Sequence, residues 1–251
     1  MAKTRGRVTR QCQRKAVSLQ RLSAVDLFHG VSEREARKIS ELCAERRFRE
    51  GTTVFGEGDP SDCLYILKSG VVKLISISPK GSEAILQILK PGQVFGELLL
   101  SRERRAFTAL AAEDSVVTVI SRQNLKELLS LFPMVALNFI QVLSRRLADV
   151  EKGLADSSHT WSYHRLARVL LRLSEQYGEE VPTGTMITLR LTHEDLANLI
   201  GTSRETVTTQ LNRFSRMGLL NRRARRIIVT RQRLSEFIHR GELRSRHLRT
   251  S

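Results

Sequence analysis

At 251 residues, with 42 Lys or Arg against 26 Asp or Glu, the chain carries a formal net charge of +16. That length accommodates about two domains, and the charge balance calls for a polyanionic partner, nucleic acid or an acidic membrane face. Cys12, Cys43 and Cys63 stand apart with no CxxC or Cys/His cluster, which excludes a local zinc or iron–sulfur motif and argues for reducing cytoplasm.

Residues 1 to 20 are basic without an acid. They read as a disordered arm, either a nonspecific phosphate contact or a solvated tail. No signal-peptide core is present here, and no later run reaches membrane-spanning length. An amphipathic helix is expected over Leu22–Leu42. Short apolar runs then follow at Thr52–Phe55, Leu64–Leu67, Val71–Ile77, Ala84–Ile88, Ala109–Ala111 and Val116–Ile120. Turn signals separate them at Gly56–Asp59, Ser69–Gly70, Pro79–Gly81 and Pro91–Gly92. Many short strands at this spacing predict an antiparallel barrel or roll, with Pro79-Lys80-Gly81 as a hairpin tip.

From Pro133, a residue suited to a first helical turn, the period changes. Ala136, Ile140, Leu143, Leu147, Val150 and Leu154 alternate steps of four and three, which predicts a coiled-coil face. That face can serve a partner helix, and the same helix can also pack on its own roll. The polar Ala155–Thr160 reads as a hinge. A further helix is expected over His164–Tyr177, with Leu166, Val169, Leu170 and Leu173 inward and Gly178 closing it. A strand is expected over Met186–Leu191.

The stretch Leu191–Gly218, LTHEDLANLIGTSRETVTTQLNRFSRMG, holds the densest signal. Thr192 caps a helix, with Asp195 three residues on. Gly201 supplies a turn, because it takes positive φ without a Cβ clash. Ser203 caps a second helix with Val207, Leu211 and Phe214 on its inner face. Two short helices joined at a glycine describe a helix-turn-helix. Arg204, Glu205, Thr208, Thr209, Asn212 and Arg213 occupy the outer face of the second helix. Arg donates two hydrogen bonds to guanine, and Glu accepts from cytosine. Leu219–Leu220 and Ile227–Val229 predict a hairpin wing with its tip at Asn221–Arg226. Phosphate contacts are expected from Thr192, Ser203, Thr206, Arg213, Arg222, Arg223 and Arg225. From Arg240 the chain is basic again and expected to be loose.

The segments GTTVFGEGDPSDCLYILKSGVVKL and PGQVFGELLLSRERRAFTAL, with GTSRETV downstream, resemble the cyclic-AMP receptor protein and fumarate–nitrate regulator family of bacterial transcription regulators. The resemblance covers about Leu22 to Phe237. It implies an α+β chain: a β-roll (jelly roll) like a cyclic-nucleotide-binding domain, a long dimerisation helix and a C-terminal winged helix-turn-helix. The implied boundaries are 1–20 for the arm, 21–132 for the effector domain and 133–158 for the helix and hinge. Residues 159–239 form the DNA-binding domain and 240–251 the basic tail.

In that family Gly96, Glu97, Leu98, Arg105 and Ala106 would form the phosphate cassette of a cyclic nucleotide. The loop from Glu97 to Arg105 is short, Phe107 stands where a small residue is usual, and Val150 and Glu151 replace an adenine-contacting pair. Three readings therefore stay open: a cyclic nucleotide, another anion held at Arg102, Arg104 and Arg105, or a relict pocket. In the relict pocket Glu97 and Arg105 would pair with each other or with solvent. Haem has only His29, His159 and His164 as candidates by residue type. The resemblance makes the helix seam at Ile140, Leu143, Leu147, Val150 and Leu154 a parallel homodimer contact. It implies a palindromic double-stranded DNA site, with Arg204 and Glu205 reading a G·C pair beside Thr208 and Thr209. RNA polymerase is an implied partner, and neither an enzyme nor a membrane role is expected. The alternative class is a nucleotide-binding regulatory subunit of a partner enzyme.

Overall fold

The computed structural model describes residues 25–78, 81–157, 161–223 and 226–247, with side chains given up to 151 in the long helix and to 240 at the C-terminus. The basic arm, Pro79–Lys80, His159, Arg225 and the side chain of Leu154 lie outside the described residues. The chain forms two compact units, one over Met1–Ser82 and Leu86–Ala148, the other over Glu83–Ile85 and Asp149–Ser251.

The first unit opens with a 3₁₀ turn at Asp26–Phe28 and helix α1 over Glu33–Glu41. The expected helix over Leu22–Leu42 is thus shorter. Gly30, at φ +76°, breaks it, and Ser32 starts α1 afresh with a capping box that includes the carboxylate of Glu35. Eight strands follow: β1 Ala44–Phe48, β2 Thr53–Phe55, β3 Cys63–Ser69, β4 Val72–Ile77, β5 Glu83–Leu89, β6 Val94–Phe95, β7 Thr108–Ala111 and β8 Ser115–Ser121. They make two four-stranded sheets in the orders β1-β8-β3-β6 and β2-β7-β4-β5. All six predicted strands are present; β1 and β6 are additional. Helix α2, Arg122–Leu131, was not expected, and α3 runs over Pro133–Ser157.

Period-two alternation builds two cores from the same strands. On β3, Tyr65 and Leu67 enter a cluster between the sheets with Phe55, Leu74, Phe95, Val117 and Val119. Leu64 and Ile66 face the other way, into a cluster with Leu27, Phe28, Leu125, Leu128, Val135 and Phe139. Helices α2 and α3 are therefore seated on the roll by apolar burial. Taken as a pair they are long and apolar enough to cross a membrane, but they are bent by 115°, and no single described helix qualifies.

The second unit comprises α4 Ser162–Tyr177, β9 Gly178–Val181, β10 Gly184–Ile187, α5 His193–Ile200, α6 Arg204–Arg216, β11 Leu220–Arg223, β12 Arg226–Val229 and α7 Arg231–His247. The strands form one sheet in the order β11-β12-β10-β9. Leu166, Val169, Leu170 and Leu173 of α4 are buried as expected. Four expectations are corrected here. The hinge is shorter, because α3 continues through Ala155–Ser157. The strand expected over Met186–Leu191 ends at Ile187 and starts at Gly184. The wing strands run further into the expected Asn221–Arg226 tip, since Asn221, Arg222, Arg223 and Arg226 already pair in the ladder. The tail from Arg240 is helical to His247; its Leu, Arg and Glu residues are good helix formers whatever their charge.

Candidate functional site

The roll holds a site built around a left-handed glycine. Gly96 has φ +79° and precedes a 3₁₀ turn at Glu97–Leu100. Arg105 lies against it, only 5% exposed. Its guanidinium donates to the Gly96 carbonyl at 3.1 Å and to the Cys63 carbonyl at 2.7 Å. The guanidinium carbon sits 4.2 Å from the Phe55 ring centroid and 5.5 Å from that of Tyr65. Burial pushes the Arg105 pKa down, opposed by Tyr65, Cys63, Asp62 and Glu97. Burial likewise pushes the Tyr65 phenol up. Nε of Arg105 is buried with no hydrogen-bond partner, and a buried donor of that kind is costly until something accepts from it.

Glu97 is buried at 8% exposure and does not pair with Arg105. Its Oε2 lies 2.7 Å from Arg146 of α3, an ion pair that is not aligned as a hydrogen bond. Arg146 also donates to Gln87 of β5 and, at 3.4 Å, to the Val94 carbonyl. Arg146 is the site residue that sequence reading missed. No local signal tied it to a carboxylate in another element. Leu98 is half-buried, as is Ala106 beside Arg105.

The predicted run Arg102, Arg104 and Arg105 does not converge. Arg102 and Arg104 are exposed, and Arg104 donates to the Gly58 carbonyl at 2.9 Å while Arg105 turns inward. Phe107 is half-buried, its ring centroid 6.2 Å from that of Phe55, and it packs against the inter-sheet cluster. Val150 and Glu151 are exposed on α3.

In the second unit Thr192 caps α5 with its capping box to Asp195. Gly201 ends α5 at φ +63°. Ser203 caps α6 by accepting from the Thr206 amide, and its hydroxyl also bonds the Thr206 hydroxyl at 3.0 Å. Val207, Leu211 and Phe214 are buried. Arg204, Glu205, Thr209, Asn212 and Arg213 are exposed along one face. Hydrogen bonds from its own amide and from the Ser203 hydroxyl hold the Glu205 carboxyl below its usual range.

Thr208 is half-buried on α6. Its hydroxyl donates to the Arg204 carbonyl at 2.9 Å and meets His193 Nδ1 at 2.7 Å. Arg222 of the wing reaches the Asn212 side chain, joining β11 to α6. Arg223 is exposed, and Arg213 lies 5.7 Å from the Tyr163 ring centroid. Of the haem candidates, His29 is exposed and His164 is buried 4.3 Å from the Tyr163 ring. Among the described residues no three His, Cys, Asp or Glu could hold a metal. Cys43 is buried, and burial pushes its thiol up to about 12.

A buried cassette in a β-roll and an exposed polar helix face beside a basic wing define a DNA-binding regulator with a sensing domain. Residues 45–131 match the cyclic nucleotide-binding domain, and residues 164–237 match the Crp-like helix-turn-helix domain. The chain belongs to the cyclic-AMP receptor protein and fumarate–nitrate regulator (Crp/Fnr) family of transcription regulators. It is 31% identical to a CRP-like cAMP-activated global transcriptional regulator of Mycobacterium tuberculosis over 83% of this chain and 94% of that one. Its fold is similar to that of FixK2 from Bradyrhizobium japonicum, with a TM-score of 0.69 and 25% identity over 77% of this chain and 96% of that one. It is also similar to the c-di-GMP responsive regulator CLP of Xanthomonas campestris, with a TM-score of 0.66 and 27% identity over 76% and 95% of the two chains.

Proposed function

We propose that this regulator is a cytoplasmic homodimer that binds a palindromic duplex and is controlled by an anionic effector in the roll. The observation that carries the DNA part is the capped α6, whose first residues Arg204 and Glu205 are exposed and charged. Arg204 reads guanine and Glu205 accepts from cytosine on the partner strand, with Thr209 beside them. Thr192, Ser203, Thr206, Arg213, Arg222 and Arg223 meet phosphate. Two subunits related by a two-fold axis present their α6 helices about 34 Å apart. RNA polymerase is the partner that a promoter-bound regulator of this class engages.

A cyclic nucleotide is the effector that the cassette supports. Its phosphate would take up the orphaned Nε of Arg105 and compete for the guanidinium with the Gly96 and Cys63 carbonyls. Its ribose would meet Glu97. A second reading is that the pocket takes no cyclic nucleotide. It is favoured by the two carbonyls already on Arg105 and by the bulky ring of Phe107 beside Phe55. Relatives do not decide between cyclic nucleotides, since one is described as cAMP-activated and another as c-di-GMP responsive. Calorimetric titration with cyclic AMP, cyclic GMP and cyclic di-GMP separates the readings. Heat from none of them removes the nucleotide and leaves the DNA role intact.

The DNA assignment is tested by selecting binding sites from a randomised duplex pool. Arg204→Ala is expected to relax base choice at one position per half-site, a loss of about 1–3 kcal/mol of discrimination. An unchanged selected motif would overturn the Arg204 assignment.

A further inference from the structure

The helix-turn-helix contains a histidine that the base-reading scheme does not use. His193 is the first residue of α5 and is half-buried. Its Nδ1 lies 2.7 Å from the Thr208 hydroxyl of α6. That hydroxyl has one hydrogen, and it donates to the Arg204 carbonyl at 2.9 Å. Thr208 Oγ1 must therefore accept from His193, so Nδ1 carries a hydrogen in the neutral ring. Nε2 then carries a lone pair, and it makes no hydrogen bond within the described residues.

The surroundings are cationic. Burial first, then Arg222 of β11 and Arg204 of α6, disfavour the charged form of the ring. On its own helix Glu194 follows, and Asp195 is turned back to the Thr192 amide at 3.0 Å. Helix α4 meets α5 at the far end, where Arg165 donates to the Ile200 carbonyl. The ring links the first helix to the second beside two guanidiniums, and two cations of that kind attract a polyanion. A DNA phosphate offers acceptors only. It repels the lone pair of a neutral Nε2 and bonds a protonated one strongly.

We propose that His193 is a DNA-phosphate contact that works only when its ring is protonated, so that this regulator takes up protons as it binds DNA. The inference rests on the DNA-binding reading above. The sign follows from linkage. A phosphate placed beside Arg204, Arg222 and the ring raises the histidine pKa in the complex above its value in the free protein. The added affinity is complete below the free value and is lost as pH rises through the bound value. Burial, Arg222 and Arg204 hold the free value below the usual histidine range, so the window opens on the acid side. The ring also holds Thr208 by its other nitrogen, which keeps that hydroxyl off the bases in both protonation states.

The test is fluorescence anisotropy of a labelled duplex, taken from the selected pool, at constant ionic strength between pH 6 and pH 8. The wild-type chain is expected to bind about three- to tenfold more tightly per subunit at the acid end. His193→Asn keeps a donor toward Thr208 but does not titrate; it is expected to bind with the wild-type affinity of pH 8 at every pH. His193→Arg is expected to bind tightly and without pH dependence. Calorimetry in two buffers of different ionisation enthalpy should show proton uptake by the wild type that His193→Asn lacks. A flat wild-type profile, or the same slope in wild type and His193→Asn, would falsify the proposal while leaving the DNA role untouched. Failure of the wild type to bind any duplex at any pH would remove both.

Discussion

Gly96 shows how much one residue without a side chain carries. Its φ of +79° is available to glycine at little cost. A Cβ there would meet Arg105 Nη1 at 2.7 Å and the Cys63 carbonyl at 3.1 Å. Gly51 is the natural comparison, with φ +78° and nothing within 4 Å of its absent Cβ. Gly51→Ala therefore meets only the backbone penalty, while Gly96→Ala meets that penalty and also displaces a buried guanidinium. Gly96→Ala is expected to destabilise the roll by about 1–3 kcal/mol and to melt below Gly51→Ala. Thermal unfolding followed by circular dichroism makes the comparison, and equal melting would refute the close-packing argument. Gly96 was legible only through the family resemblance, since the local turn signal nearest to it falls at Pro91–Gly92. Arg146 was not, because its partner Glu97 lies 49 positions away (146 minus 97) and only the folded roll brings them to 2.7 Å. Thr208 was legible as a polar residue on the right face, yet its hydroxyl is engaged by a histidine fifteen positions earlier.

At the scale of elements, α3 has two apolar faces, and the roll takes one of them. Val135 and Phe139 are buried in the roll's lower core. Asn138 is fixed between them, donating to the Leu27 carbonyl at 3.2 Å and the His29 carbonyl at 2.8 Å. The other stripe is left open: Ile140 is 58% exposed, Leu147 60% and Val150 54%. A continuous apolar stripe of this kind marks an interaction surface, and its steps of three and four fit a parallel helix pair. Leu147→Glu is expected to convert the proposed dimer to a monomer at micromolar concentration and to abolish tight duplex binding. Light scattering on the two proteins checks this; a wild type that is monomeric would defeat the dimer assignment. The seam could be read from sequence because its spacing is the signal. Strand β1, AERRF, could not, since it is an edge strand whose charged residues tolerate solvent on one side. The end of helix α7 was hidden for a related reason: from Arg240 its residues read as a charged tail, and charge says little about helix formation.

For the whole molecule the deciding quantity is charge. A net +16 provides affinity for any duplex through phosphate neutralisation and counterion release. In the proposed scheme sequence discrimination comes from the groups assigned to base edges, Arg204 and Glu205 first. The two contributions separate under salt. Arg223 is exposed on β11 opposite Arg226 in the wing ladder, and nothing about that position distinguishes one base from another. Arg223→Ala is expected to weaken selected and random duplexes by a similar factor. It should also lower the magnitude of the slope of log Kd against log salt by about 1 per subunit. Arg204→Ala is expected to weaken the selected duplex far more than a random one. Anisotropy titrations of both variants across a potassium chloride series distinguish them. If Arg223→Ala left the salt slope unchanged, or hurt the selected duplex alone, the wing would be reading sequence rather than supplying charge. The division of labour between β11 and α6 would then have to be redrawn.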